Sequence, residues 1–374
     1  MNIALMGTRG IPANYSGFET FYEELATRLV ARGHIVTVYN RPHHVKYREK
    51  TYKGVRLVHM PSLPTKHLDT ITHSALSALH GLFCAYDIVY FCGVGNAPVA
   101  WIPRLGGAKV LLNVDSNDWK RDKWGRFARF YLRTMEKAVA RTANVLIADS
   151  KAIQARYREL YGFETVYIPY GANVVSTEKT DALEKWNLRP REYVMWVGRT
   201  VPESRVDELI LAFRQLNRNG TKLVIVGDAP FSEEYKERIR GLANEHVVFT
   251  GYAFGDTYRQ LSCNAKCFVF PSPVSGTSPA LLDQMGFGNC VIVRATPTNL
   301  EVIGDAGLSY DPEDPVNDLA RRLDEVFENP SLVDTYRRLA TERVRSIYSW
   351  DTITDRYEEL FAQLAGKRAW ENRD

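Results

Sequence analysis

The sequence contains no uninterrupted apolar run of about 18 residues, the length a membrane-crossing helix needs, so no segment reads as a transmembrane span. It has only five cysteines (Cys84, Cys92, Cys263, Cys267 and Cys290), an odd and scattered set. Cys263 and Cys267 stand four apart with no second pair, which argues against a zinc site and for a reduced, cytoplasmic protein. The opening residues, Met1 to Met6, have neither the basic region nor the length of a secretory leader. There is no short repeat, no low-complexity tract, and no glycine spacing of the Walker or dinucleotide type. Strong net charge is also lacking, at +4, but the balance is uneven along the chain. Residues 1–173 carry 23 Lys and Arg against 13 Asp and Glu, and the remainder 25 against 31. The asymmetry suggests that one half faces an anionic partner, without identifying it.

What is present is a large apolar fraction, 45% of 374 residues, enough for about two domains. Short buried-strand patterns alternate with helical ones. "NIALM", "HIVTVYN", "VRLVHM", "DIVYFC", "KVLLNV" and "NVLIADS" fill the first half; "YVMWVG", "KLVIVGD", "HVVFTG", "CFVFPS" and "CVIV" fill the second. Between them Phe18, Phe21, Leu25 and Leu29 keep helical spacing, and Gly33 stands where a left-handed cap closes that helix. Two rounds of strand–helix alternation predict two doubly wound parallel sheets. The polar stretch 173–190 separates them, and after Asp314 the chain is almost wholly helical.

Ligands of open α/β sheets bind at the carboxyl ends of strands. The loop "GTRGIPANYSGF" follows the first strand and precedes a helix, so its N–H groups and Gly7, Gly10 and Gly17 can cradle an anion; turns in a mobile surface loop explain the glycines equally well. The second half repeats the arrangement: Gly198-Arg199, with Arg205 before a helix; Gly227-Asp228; Gly251-Tyr252; and Ser275-Gly276-Thr277-Ser278 before a helix bearing Asp283. Cations and free N–H groups suit a diphosphate, and a carboxylate suits ribose hydroxyls. His43 and His44 read as solvated loop residues, and His67, His73 and His80 as helix-surface ones.

In the order "YSGFETFYEELATRLVARGHIVTVY", "ANVLIADSKAIQARYRELYG", "VYIPYGAN", "VGRTVPESRVDELILAF", "LVIVGDAP", "VVFTGY" and "VFPSPVSGTSPALLDQMGFGNCVIV", the chain resembles the retaining nucleotide-sugar glycosyltransferases of family 4. The resemblance covers residues 2–362 and implies the GT-B fold, an α/β architecture of two Rossmann-like domains facing a central cleft. The implied division is an acceptor domain over 1–172, a nucleotide-sugar domain over 173–350, and a helix over 351–374 packing back on the first domain. "GTRGIPANYSGFETF" and "NVDSNDWKRDKWG" resemble a bacterial subgroup associated with rhamnosyl transfer to cell-surface polysaccharides.

The resemblance implies roles residue by residue. Gly17 would offer its N–H to the distal phosphate, and Arg199 would neutralise the departing diphosphate. Gly198, Gly227, Gly251 and Tyr252 would border the nucleotide, the last two beside the base. Ser275, Gly276, Thr277 and Ser278 would line the donor, and Asp283 would hold the ribose. Asn14, Tyr15 and Asp118 would meet the acceptor. Three positions depart from the family. Ser204 replaces its lysine, with Arg205 one place on as a substitute charge; Ser275 replaces its first motif glutamate; Asp115 replaces its sugar-facing histidine. Asp115 either orients the sugar or acceptor or caps local N–H groups.

The expected reaction needs no metal and no cofactor, because cationic side chains meet the diphosphate. The expected substrates are a nucleotide sugar, with L-rhamnose from dTDP-rhamnose as first choice, and a lipid-linked saccharide. A nucleotide-sugar 2-epimerase, a sugar-phosphate synthase or a non-catalytic nucleotide-sugar binder fits the same scaffold. Residues 119–141 hold eight Lys and Arg against Asp122 and Glu136, interleaved with Trp119, Trp124, Phe127, Phe130 and Tyr131. Such a helix lies on an anionic membrane, giving a peripheral position at the inner face, or packs its aromatics inward with a solvated basic face. No nucleic-acid-binding motif accompanies the patch.

Overall fold

A computed structural model describes residues 1–13, 17–65, 68–114, 125–216, 218, 220–229, 232–273 and 276–366, without the side chains of Phe127 and Ala128. The chain divides into two compact units, Met1–Tyr170 with Trp350–Asp374, and Gly171–Ser349.

The first unit is built on eight strands: β1 (Asn2–Met6), β2 (Ile35–Asn40), β3 (Thr51–Tyr52), β4 (Val55–His59), β5 (Ile88–Cys92), β6 (Lys109–Val114), β7 (Val145–Ala148) and β8 (Val166–Tyr167). Their order is β3-β4-β2-β1-β5-β6-β7-β8, parallel throughout except for the β3–β4 pair. Central strands are apolar from end to end because helices cover both faces; Ile3 to Met6 and Ile88 to Phe91 are wholly buried. The helix Gly17–Ala31 turns Phe21, Tyr22, Leu25 and Leu29 inward. Its Tyr22 hydroxyl donates to Met6 O at 2.7 Å and Tyr90 O at 2.8 Å, tying the helix to β1 and β5. Gly33, at φ 86°, closes that helix in the left-handed conformation the sequence predicts.

The helix Trp350–Leu364 belongs to this unit. Its Trp350 ring stacks on Phe21, its Tyr357 hydroxyl meets that of Tyr90 at 3.1 Å, and Glu358 accepts from Arg32 and pairs with His34, each at 2.7 Å.

The second unit carries six parallel strands: β9 (Tyr193–Val197), β10 (Lys222–Val226), β11 (Val247–Gly251), β12 (Cys267–Phe270), β13 (Cys290–Arg294) and β14 (Leu308–Tyr310). Their order is β11-β10-β9-β12-β13-β14. The chain runs outward from β9 through β10 to β11, then restarts at β12 on the other side of β9. The strand order therefore reverses between β9 and β12, the position at which open α/β sheets bind ligands. The segment 173–190 carries the 3-10 helix Asp181–Trp186, and buries Leu183 and Leu188 with Tyr193 and Met195.

Candidate active site

In the second unit, the loops beside the reversal point carry the expected donor residues. β9 ends in Gly198 and Arg199. The Arg199 side chain is exposed and, among the described residues, has no ion-pair or hydrogen-bond partner. Ser204 points the other way: it is buried, and its hydroxyl donates to Val201 O at 2.6 Å within its own turn. Arg205 holds a left-handed conformation at φ 54° and projects an exposed guanidinium. Among the described residues its ion-pair partner is Glu208, 3.9 Å away, but Glu208 is already paired with Arg294 at 2.6 Å. This loop thus presents two cations at the carboxyl end of a central strand.

The floor beside them is backbone. Gly198 donates to Val226 O at 3.0 Å, and Gly227 donates to Gly251 O at 2.8 Å, so three strand ends meet without side chains. At Gly227, φ 119°, a Cβ would stand 2.0 Å from Gly198 O. That glycine is demanded by a protein neighbour, whatever binds above it. Beyond Gly251, Tyr252 donates its hydroxyl to Asp228 O at 3.2 Å, and Phe254, 70% exposed, stacks against it at 5.9 Å and 13°. The Asp228 carboxylate accepts from Ala229 N at 2.7 Å and pairs with Lys236 at 3.2 Å. The Ala229 N–H first, then Lys236, hold it below the usual carboxylate range. Sequence reasoning missed Phe254; the only signal is a second aromatic two residues after Tyr252.

The loop after β12 is tied to the arginine loop. Ser272 Oγ donates to Glu203 O at 3.1 Å, and buried Asn299 donates to both Ser272 O at 3.1 Å and Arg294 O at 3.0 Å. Gly276 and Thr277 are buried. Ser278 caps the helix Pro279–Gly286 by accepting from Leu281 N at 3.4 Å, so its hydroxyl serves the helix. Half-buried Asp283 lies in that helix. It raises the Tyr258 phenol's pKa, a rise due first to burial and then to the carboxylate's charge. Ser275 lies outside the described residues, as do Asn14, Tyr15, Asp115 and Asp118.

In the first unit, Gly17 is the first residue of its helix, where backbone N–H groups have no intrahelical partner. The preceding loop is pinned by the protein. Arg9 N donates to Glu19 at 3.1 Å, Ala13 N to Glu23 at 2.8 Å, and Ile11 N to Asn40 at 3.0 Å. A Cβ on Gly7 would stand 2.6 Å from Asn96 Nδ2, and one on Gly10 2.1 Å from Asn40 Oδ1. Gly7 and Gly10 are therefore demanded twice over, by their positive φ of 94° and 112° and by asparagine neighbours in a pinned loop.

Three of the histidine readings need correction, while His80 is exposed on its helix as expected and His67 lies outside the described residues. His43 and His44 are not merely solvated: each sets Nε2 3.0 Å from the Asp69 carboxylate. His73 is wholly buried instead of lying on the helix surface; burial first, and then the charge of Arg41, push its pKa down to about 3.

Two family descriptions match the chain in the order its two units demand. "Glycosyl transferase 4-like domain" matches residues 16–171, and "Glycosyl transferases group 1" matches residues 191–329. The chain belongs to the family 4 glycosyltransferases of GT-B fold. This glycosyltransferase is 27% identical to the GDP-mannose-dependent alpha-(1-6)-phosphatidylinositol monomannoside mannosyltransferase of Mycolicibacterium smegmatis, over 80% of the chain and 79% of that protein. It is 26% identical to O-antigen chain mannosyltransferase B of Escherichia coli over 46% of each. The matches to the Escherichia coli protein and to an uncharacterised glycosyltransferase of Methanocaldococcus jannaschii span about half of those relatives' lengths, 46% and 42%. Among solved structures, the sucrose-phosphate synthase of Thermosynechococcus elongatus superposes with a TM-score of 0.83 at 23% identity, over 98% of this chain and 99% of that one. Anabaena HepE, solved with UDP, gives 0.76 at 16%, over 97% of this chain and 100% of that one. At these identities the solved structures speak for the fold alone.

Proposed function

We propose that this glycosyltransferase moves a sugar from a nucleoside diphosphate to a hydroxyl of a lipid-linked saccharide in surface polysaccharide synthesis, with retention of anomeric configuration. The observation that carries the reading is Arg199, an exposed cation with no protein partner among the described residues, at the strand-order reversal of the second unit. As the anomeric carbon–oxygen bond breaks, charge accumulates on the leaving diphosphate, and Arg199 neutralises it, with Arg205 taking the place of the family's lysine. The departing diphosphate oxygen takes the proton of the acceptor hydroxyl, which attacks from the same face. No metal enters this scheme. Phe254 and Tyr252 form the flat wall on which the base rests, and Asp283 accepts from the ribose hydroxyls. The relatives named for mannosyl transfer and the rhamnosyl-type sequence motifs point to related sugars, since L-rhamnose is a 6-deoxymannose of opposite series. L-rhamnose from dTDP-rhamnose is the first donor to try.

Asp283→Asn is expected to weaken binding of the free nucleoside diphosphate about tenfold by calorimetry, because an amide accepts less well from hydroxyls. Unchanged affinity in the folded variant would remove Asp283 from the ribose site.

The acceptor's lipid places the enzyme at the inner face of the membrane. In the helix Arg126–Ala138 the single acid, Glu136, is buried against Arg156, leaving Arg126, Arg133 and Lys137 exposed beside Phe130, itself 70% exposed. The other half of the basic stretch, Trp119 to Trp124, lies outside the described residues. In the same unit the helix Asp69–Gly81 and the turns packed on it expose Leu76, Leu79, Phe83 (85%), Trp101 and Leu105 (69%). Apolar wedges edged by cations suit an anionic bilayer, each cation contributing about 1 kcal/mol. The protein should sediment with anionic liposomes and not neutral ones, and Arg133→Glu with Lys137→Glu should release it. Equal binding to both liposomes, or none, would remove the membrane reading and leave the transferase reading standing.

A further inference from the structure

One cluster in the first unit gathers metal-ligating side chains. After β2 the chain turns back on itself, with His44 N and Val45 N both donating to Arg41 O at 3.1 and 3.0 Å. The turn sets the rings of His43 and His44 4.2 Å apart. Asp69, the first residue of the helix Asp69–Gly81, faces them: Oδ1 is 3.0 Å from His43 Nε2 and Oδ2 is 3.0 Å from His44 Nε2. One donor atom from each residue lies within 4.8 Å of the others. The carboxylate is oriented from behind. Ser62 Oγ donates to Oδ1 at 2.6 Å, and Arg41 donates to Oδ2 at 2.9 Å while also reaching Thr70 Oγ1 and Gly7 O.

We propose that His43, His44 and Asp69 bind a divalent transition ion of the zinc class. A four-coordinate zinc ion holds nitrogen and oxygen donors at about 2.0–2.2 Å, which spaces them about 3.3–3.6 Å apart. Here each imidazole nitrogen stands 3.0 Å from its own carboxylate oxygen and one donor atom from each residue lies within 4.8 Å of the others, so an entering ion parts the imidazoles from the carboxylate and draws the three donors around itself. His43 is exposed, which leaves the fourth position to water. Two imidazoles and one carboxylate favour zinc, nickel or copper over magnesium or calcium, which require more oxygen donors. The Arg41 charge beside Oδ2 opposes any cation. It makes binding weaker than at a four-ligand structural site. Ser62 fixes the carboxylate from behind, as hydrogen-bond donors to metal-bound carboxylates do. The site goes beyond the transfer reaction: it fastens the turn after β2 to the start of the next helix, and no step of transfer runs through it.

The test uses the untagged full chain, stripped with chelator and titrated with Co²⁺. One equivalent should produce the visible absorption of a low-coordinate cobalt site. One equivalent of Zn²⁺ should abolish it, and millimolar Mg²⁺ or Ca²⁺ should not. His43→Ala, at an exposed position that leaves the fold intact, should lower Zn²⁺ affinity at least tenfold in competition with a chromophoric chelator. Ser62→Ala should lower it by a smaller factor. Absence of stoichiometric binding, or Zn²⁺ affinity unchanged in His43→Ala, would overturn the proposal.

Discussion

Arg199→Ala lowers the turnover number about a hundredfold in a chain that still folds, and Arg199→Lys recovers part of the loss. A guanidinium at the end of a central strand, with no described acid to neutralise it, is free to meet charge that develops in the transition state. Removing one such preorganised donor costs about 3 kcal/mol in comparable sites. Lysine restores the charge but not the planar two-pronged geometry that fits a diphosphate. Arg205 is close enough in sequence to soften the loss, so Arg199→Ala with Arg205→Ala should be slower than either alone. Steady-state rates at saturating donor check this. Wild-type turnover in folded Arg199→Ala would remove the residue from the reaction.

Gly227→Ala has the largest expected effect on the scaffold of the site. Its Cβ would lie 2.0 Å from Gly198 O and 3.1 Å from Gly198 C, both backbone atoms that can yield only if β9 and β10 part at their ends. The φ of 119° adds strain that L side chains rarely accept. Together these should cost at least about 3 kcal/mol, which lowers the melting temperature by roughly 6–12 °C in a unit of this size. Nucleotide affinity should fall with it, because this backbone is the proposed floor of the donor site. Gly251→Ala is the control: at φ 68° its Cβ meets nothing within 4 Å, so the cost should be about 1 kcal/mol. Equal melting temperatures for the two variants would contradict the packing described at the strand ends.

Both sheets were legible in the sequence because buried parallel strands read as continuous apolar runs. The unforeseen strands β3, β8 and β14 have two, two and three residues, too few for any period to register. Helix patterning misled at Asp69–Gly81. That helix buries His73, Ser74, Ser77, Ala78 and Gly81 while exposing Leu76 and Leu79, the reverse of the usual amphipathic assignment. His73 was consequently expected on the surface. The arginines at the end of β9 were legible because strand, glycine, cation and helix follow each other within ten residues. The reasons for Gly7 and Gly10 were not, because Asn96 and Asn40 come near only once the sheet has formed. The pairing of His43 and His44 with Asp69 was hidden for the same reason, across 25 residues of chain.

The central claim is transfer from a nucleotide sugar held by the second unit to an acceptor hydroxyl. Its most direct test is nucleoside diphosphate release from dTDP-rhamnose and a panel of other nucleotide sugars, each with and without a lipid-linked saccharide, with the product's anomeric configuration read by NMR. The account predicts that one donor releases its nucleotide only when the acceptor is present, and that the new linkage keeps the donor's configuration. Isomerisation of the donor without acceptor, or tight nucleotide binding with no turnover across the panel, would contradict it.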